Sequence, residues 1–466
     1  MTAHRWTIAA VSMPIFVLLL LMPHWFRHLD PLTGDEPFYV MTAMSMWNDH
    51  DLNEANNYEN RDYDNFYPAQ PLPGNWQGWP SFPRDLPPHP AQTERDGLYT
   101  KHGLGLSILI ALPWRLLERV GAVVTIITFA ALSSWGMFTV ARRSGASPQI
   151  AWATAVGLAL SLPMLPYSLL LFPEVPGAAA MVVAVLAISD RRPSRSLALG
   201  GGLALGLLPW LHQRFLLTVL ALGIVVVVDR GLAREWRALL LTAVPAVLGS
   251  AGIATYNWWL YGQFTQNTAD HAGFHGGSAF LNAGAGLLLD AQWGLFVAAP
   301  ITIVALAATP MWIREQPRLA FVGAAGVLPY IALVEAYRVW WGEWGPPARY
   351  LVPIIPLAAG PLALLLQKSR KRGRALVVAG FAIGLLPLIA GLTHPQRLYH
   401  HPDGVNRLWS TVGDRVGIPL ERVLVAFQPY AVDSVGARST ATVVAALLIV
   451  GAWWLIRHTV GPSTRS

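Results

Sequence analysis

Two adjacent carboxylates stand in Gly34-Asp35-Glu36-Pro37-Phe38-Tyr39, with Pro31 a few residues ahead of them. A carboxylate can take the proton of a reacting hydroxyl, and its neighbour could orient that hydroxyl or hold a divalent metal ion. The same pattern also reads as a helix start, because an acid ahead of proline is common at a first turn. The two readings are compatible. A third carboxylate, Glu174, lies in Leu171-Phe172-Pro173-Glu174-Val175-Pro176 between two apolar segments. An acid in mid-bilayer costs roughly 2.5–3.5 kcal/mol, so Glu174 should face a polar cavity or an outer rim. A solvated turn between two prolines is the plain alternative.

Fixed positive charge of the kind that steadies a phosphate occurs at Lys101-His102, at His212 with Arg214, at Arg338 and at Arg349. Arg349 ends the run Trp340-Trp341-Gly342-Glu343-Trp344-Gly345-Pro346-Pro347-Ala348-Arg349-Tyr350, which mixes aromatics with an acid and a base. Tyr39, His212, Arg338, Trp344 and Tyr350 are candidates for holding a substrate. For any single Trp or Tyr the interfacial belt is an equally good account, and for an arginine so is snorkelling to the headgroups. Asp270, His271 and His275 are too loosely spaced to argue a metal site, so metal dependence stays open. With no cysteine in the chain, thiol chemistry and disulfides are excluded. No glycine-rich nucleotide loop is present.

What must position these residues is a membrane bundle. Of 466 residues 54% are hydrophobic and only 13% charged, with mean hydropathy +0.42, against about 25% charge in soluble domains. Apolar runs at 11–26, 120–141, 149–171, 197–211, 215–228, 238–256, 295–309, 319–334, 350–366, 375–392 and 440–456 are each long enough, or nearly so, to cross roughly 30 Å of hydrocarbon. The expectation is a single all-α domain over 1–466, a polytopic bundle of about 11–13 transmembrane helices. The first run lacks a small-residue cleavage site and reads as a retained helix.

Charge orients the bundle. The short loops carrying Arg142-Arg143, Arg191-Arg192, Arg230, Arg234, Arg237, Arg314, Arg318 and the Lys368–Arg374 cluster, together with the chain ends, hold 18 basic and four acidic residues. The rest of the chain holds 15 basic and 22 acidic. Basic loops stay in the cytoplasm, which places both termini there and makes the net +7 a topology signal with no nucleic-acid partner. The alternation works only if 103–119, broken by Pro113, lies along the outer interface as an amphipathic helix. Three long outer regions follow: 27–119 with interfacial helices, 257–292, and 393–437. Residues 27–101 carry twelve acids and enough aromatics to fold over the bundle.

In this order the elements resemble the polytopic GT-C glycosyltransferases, in particular the bacterial branch of protein O-mannosyltransferases and aminoarabinose transferases. The resemblance rests on an acidic pair right after the first helix, the stretch Tyr99-Thr100-Lys101-His102-Gly103-Leu104-Gly105-Leu106, a helix ending in Ala141-Arg142-Arg143, Glu174 after Tyr167-Ser168, and the late Gly345-Pro346-Pro347-Ala348-Arg349-Tyr350. Asn56-Asn57-Tyr58-Glu59-Asn60-Arg61-Asp62-Tyr63 resembles a bacterial subgroup. It covers about the first 215 residues well, and the rest as hydropathy plus that late loop. It implies a GT-C-like fold in the inner membrane, with a base at Asp35 assisted by Glu36 and Glu174. It also implies polyprenyl-phosphate contacts from Lys101, His102, Arg214 and Arg349. The chain departs from the pattern in Lys-His where many relatives have Lys-Pro-Pro, in Glu at 174 where many have Asp, and in lacking a soluble C-terminal domain. The implied activity moves a monosaccharide, with inversion, from a polyprenyl-phosphate carrier to a hydroxyl of a lipid, glycan or protein acceptor at the outer face. The rival is a transporter or flippase of a lipid-linked or amphipathic substrate, which leaves the acidic outer loop and its paired carboxylates unexplained.

Overall fold

In a computed structural model the chain is a bundle of helices, described over residues 3–67, 85–266, 273–369, 371–401, 403–429 and 433–459. Among the described residues eight helices are long and apolar enough to cross a membrane: His4–His28, Leu104–Arg143, Gln213–Leu232, Trp236–Tyr261, Pro317–Ala336, Arg349–Lys368, Lys371–Thr393 and Val435–His458. The protein is a multi-pass membrane protein. Apolar side chains stand exposed along several of these helices, Leu220, Ile224 and Val227 on one and Val443, Leu447 and Leu448 on another. Such faces are a liability in water and at home against lipid tails.

Two of the expected runs are interrupted. The 149–171 run forms the helix Pro148–Ala159 and a short turn of helix Met164–Tyr167, with Pro163 between them. The 295–309 run divides into Leu295–Ala298 and Ile301–Glu315, with Pro300 at the join. Proline has no amide hydrogen for the helix ladder, and at these two positions the helix stops beside it. The regions expected to be long outer loops hold more structure than loops do. Residues 257–292 include the end of Trp236–Tyr261 and the helix Gly277–Leu289, and 393–437 includes Arg407–Val416.

The centre of the bundle is the helix Glu174–Ser189, all sixteen residues of which are buried. A helix that is apolar on every side has no face for water and belongs in the middle. Its first residue is Glu174, so the carboxylate is delivered to the core at one end of the bundle. Near that end the chain from Leu104 runs as helix, breaks at Leu117 and Glu118 (φ 48°, ψ −136°), and resumes to Arg143. The first segment exposes Ile108, Leu112 and Leu116, spaced by four residues along one face. These side chains form an apolar stripe on the segment that precedes the break. The helix Glu36–Asn48 has nine of its thirteen residues buried and packs on Leu104–Arg143.

Candidate active site

Asp35 occupies the N-cap position of Glu36–Asn48, with Pro37 in the first turn, yet its side chain makes no capping hydrogen bond. It turns instead to Arg349, whose Nη2 donates to Asp35 Oδ2. Arg349 Nε also donates to Glu174 Oε1 at 3.0 Å, and Arg214 Nη2 donates to the same oxygen at 2.7 Å. Two arginines and two carboxylates thus form one buried chain: Asp35, Arg349, Glu174, Arg214. Four segments far apart in sequence meet in it. The side chain of Asp35 is 23% exposed, whereas that of Glu174 is fully buried.

Backbone geometry makes this meeting possible. Gly34 has φ +65°, and a Cβ there would stand 2.8 Å from the carbonyl oxygen of Trp344. The 342–349 segment therefore lies directly on the turn that presents Asp35. That segment is pinned by Trp344 Nε1 donating to Thr33 Oγ1 (2.8 Å), by Tyr167 Oη donating to Pro346 O (2.7 Å), and by Ala348 N donating to Trp293 O (3.1 Å). Arg349 Nη1 closes on Gly342 O at 3.2 Å, and the guanidinium lies 4.5 Å from the centre of the Phe172 ring. A Cβ on Gly103 would meet the Leu211 carbonyl oxygen at 2.4 Å. This close approach sets Lys101-His102 against the end of Arg195–Leu211, beside His212 and Arg214.

Together these groups line a cavity of about 890 Å³. Of the residues expected at the site, Asp35, Tyr39, Lys101, His102, His212, Arg214, Arg349, Tyr350 and Trp344 are on its wall. Three are placed elsewhere. Glu36 is 1% exposed and accepts from Leu171 N at 2.9 Å and Thr33 N at 3.5 Å. Glu174 sits behind the two arginines. Arg338 is exposed, lies against Gly273, and is off the cavity wall. Asp270 and His271 fall outside the described residues, and His275 Nε2 is 2.8 Å from Glu335 O.

His89 has no forewarning in the sequence beyond Pro87-Pro88-His89-Pro90. Its ring stacks on Phe38 at 3.8 Å, its Nδ1 is 3.4 Å from His102 Nε2, and it lines the cavity. Sequence reasoning passed over it because a histidine among prolines in a polar loop carries no spacing signal.

Burial pushes Asp35 upward, but the charge of Arg349, helped by His102 and the Arg349 hydrogen bond, outweighs it and holds the carboxyl below its ordinary range. Asp35 is ionised at neutral pH. Burial raises Glu36 above its usual value. Burial also lowers His102, to about 4, and takes His212 well below the usual histidine range, so both rings are neutral at pH 7. The charges of Arg349 and Arg214 are matched by Asp35 and Glu174. Lys101 is left as the unmatched cation of the wall, with no carboxylate partner among the described residues.

Guanidinium groups already occupy the space between the carboxylates, and among the described residues no three His, Asp or Glu side chains converge as ligands.

No protein-family model matches the chain, and no curated protein matches it. Among solved structures it is similar to ArnT from Cupriavidus metallidurans bound to undecaprenyl phosphate, with TM-score 0.50 and 15% identity over 98% of this chain and 78% of that one. It is also similar to the apo state of that protein, with TM-score 0.48 and 16% identity over 97% of this chain and 77% of that one. The first match shows the fold. This chain has the GT-C-like fold that its sequence resemblance implied.

Proposed function

We propose that this protein is a glycosyltransferase that moves a monosaccharide from a polyprenyl-phosphate carrier to an acceptor hydroxyl, with inversion at the anomeric carbon. The observation that carries the reading is the placement of Asp35. It is an ionised carboxylate on the wall of an 890 Å³ cavity, held in place by Arg349 and facing a site that also offers Lys101. The likeness to ArnT supports the choice of donor, because that protein was crystallised with undecaprenyl phosphate bound in a fold of the same kind.

In the reaction the acceptor oxygen attacks the anomeric carbon as the bond from that carbon to the phosphate oxygen breaks. The acceptor proton passes to Asp35, and the polyprenyl phosphate leaves as an anion. Asp35 is a weak base at rest, but proton transfer to it becomes favourable as the acceptor oxygen bonds to carbon and loses its basicity. Lys101 and Arg214 at the wall stabilise the developing phosphate charge, which is where preorganised cations act most strongly. Glu174 has no access to the cavity, so its part is to hold the two arginines. Glu36 holds the backbone of Leu171 and Thr33 in the same supporting way. Trp344 and Tyr350 offer faces on which a sugar ring can stack. No step requires a metal ion.

The charge partition favours a cavity opening on the outer face of the inner membrane, with both termini in the cytoplasm. Purified protein given radiolabelled polyprenyl-phosphate sugars and a membrane-extract acceptor should transfer label. Binding or movement of the lipid with no transfer across a broad donor panel would replace this reading with a transporter.

A further inference from the structure

A second cavity, of about 410 Å³, lies at the opposite end of the bundle from the first. The helix Arg195–Leu211 begins in this second cavity and ends beside His212 in the first, so its seventeen residues separate the two by about 25 Å. The lining includes Arg192, Arg195, Arg234, Arg237, Trp236 and a single carboxylate, Glu235.

Basic residues are expected at this end of a membrane protein, and many are neutralised here by acids. Arg143 meets Asp190 at 3.0 Å, Arg318 meets Asp229 at 2.6 Å, and Lys368 meets Glu315 at 2.5 Å. The second cavity differs. Glu235 is taken by Arg230 at 2.6 Å, and none of the four lining arginines has an ion-pair partner among the described residues. Four guanidiniums therefore surround a recess with no counter-charge of its own. Arginine is the side chain best suited to grip phosphate oxygens in pairs.

The surroundings identify the kind of phosphate. Arg195–Leu211 and Trp236–Tyr261 run side by side, close enough that a Cβ on Gly202 would meet the Thr242 carbonyl oxygen at 2.4 Å. Leading away from the recess, Leu199 and Leu203 on one helix and Leu240 and Val244 on the other are 41–58% exposed. Trp236, 59% exposed, stands at the mouth, as an interfacial tryptophan does. A soluble phosphate would use the arginines and leave these apolar rails bare. A membrane lipid would use both.

We propose that the cleft between the starts of these two helices is a binding site for an anionic phospholipid headgroup, with the acyl chains lying along the leucine rails. The site is separate from the sugar-transfer cavity and stands whether or not that reading holds.

The test is native mass spectrometry of the full chain released from vesicles of phosphatidylcholine doped with cardiolipin or phosphatidylglycerol. Wild type should retain anionic lipid through detergent washing. Arg195→Gln/Arg237→Gln should bind about 25-fold more weakly, at about fivefold per arginine near a membrane surface. Arg195→Lys/Arg237→Lys keeps the charge and should lose less, which guards against a variant that merely unfolds. Arg372→Gln/Arg374→Gln, basic but outside the cleft, should bind as wild type does. Equal loss from the 372/374 pair would mean diffuse attraction and overturn the proposal, as would undiminished binding by the 195/237 Gln pair. A thermal shift of the detergent-solubilised protein with inorganic phosphate equal to that with cardiolipin would also overturn the lipid assignment.

Discussion

Replacing Arg349 by lysine keeps the positive charge and removes the fork. The native side chain reaches Asp35, Glu174 and the Gly342 carbonyl from three different nitrogens while being only 7% exposed. A single ammonium can serve one carboxylate. At least one charge-assisted hydrogen bond is lost, at about 1.5–3 kcal/mol, and Asp35 or Glu174 is left short of its partner. The expected loss of stability is about 3 kcal/mol, with the methionine variant nearer 3–5 kcal/mol because it strands a carboxylate entirely. Activity should fall further than stability implies, since a base displaced by ~1 Å costs about 10²-fold. Unfolding followed by tryptophan fluorescence in detergent, alongside label transfer from polyprenyl-phosphate sugar, measures both. Adding Asp35→Asn to Arg349→Met should recover part of the lost stability and none of the activity, because the stranded charge is gone and so is the base. Arg349→Lys with wild-type melting and wild-type turnover would refute the idea that the fork positions Asp35.

Other outcomes follow from the same geometry. Glu36→Gln keeps an oxygen for the Leu171 amide and should transfer sugar within about tenfold of wild type; a folded but inactive Glu36→Gln would make Glu36 a catalytic group. Lys101→Ala should raise the donor KM about tenfold with little change in kcat, and the loss should shrink at high salt as screening weakens the wild-type attraction. Glu54, 3% exposed and 2.5 Å from Thr42 Oγ1, is raised by burial to about 7. A carboxyl whose folded pKa lies above its unfolded value stabilises the fold fully at low pH and loses that contribution as pH rises. Stability should therefore decline from about pH 4.5 toward pH 7, by ~3 kcal/mol at most. Glu54→Gln should flatten that slope in melts taken across the range, and an unchanged slope would remove Glu54 as its source.

The sequence was most legible where composition alone decides. Long apolar runs became helices within a few residues, while the break expected at Pro113 falls instead at Leu117–Glu118, with Pro113 inside the helix. It was less legible where proline fell inside a run, because tertiary packing decides whether a helix bends through proline, as at Pro245 within Trp236–Tyr261, or stops, as at Pro300. The roles of the three carboxylates were also hidden. Asp35 and Glu36 are adjacent, and successive residues at a helix start point about 100° apart, so one reaches the cavity while the other meets the backbone of Leu171. Spacing cannot say which. Glu174 looked like a cavity acid because it interrupts apolar sequence, but it begins the most buried helix of the bundle and needs two arginines from distant segments to be tolerated there. Those arginines were visible singly; their convergence on one oxygen was not.

The central claim is that Asp35 takes the acceptor proton. Asp35→Asn preserves shape and can still accept from Arg349, so the protein should fold and bind donor lipid with near wild-type affinity. Single-turnover transfer from radiolabelled polyprenyl-phosphate sugar should fall by about 10²–10⁴. Transfer at the wild-type rate by a folded Asp35→Asn variant would contradict the claim.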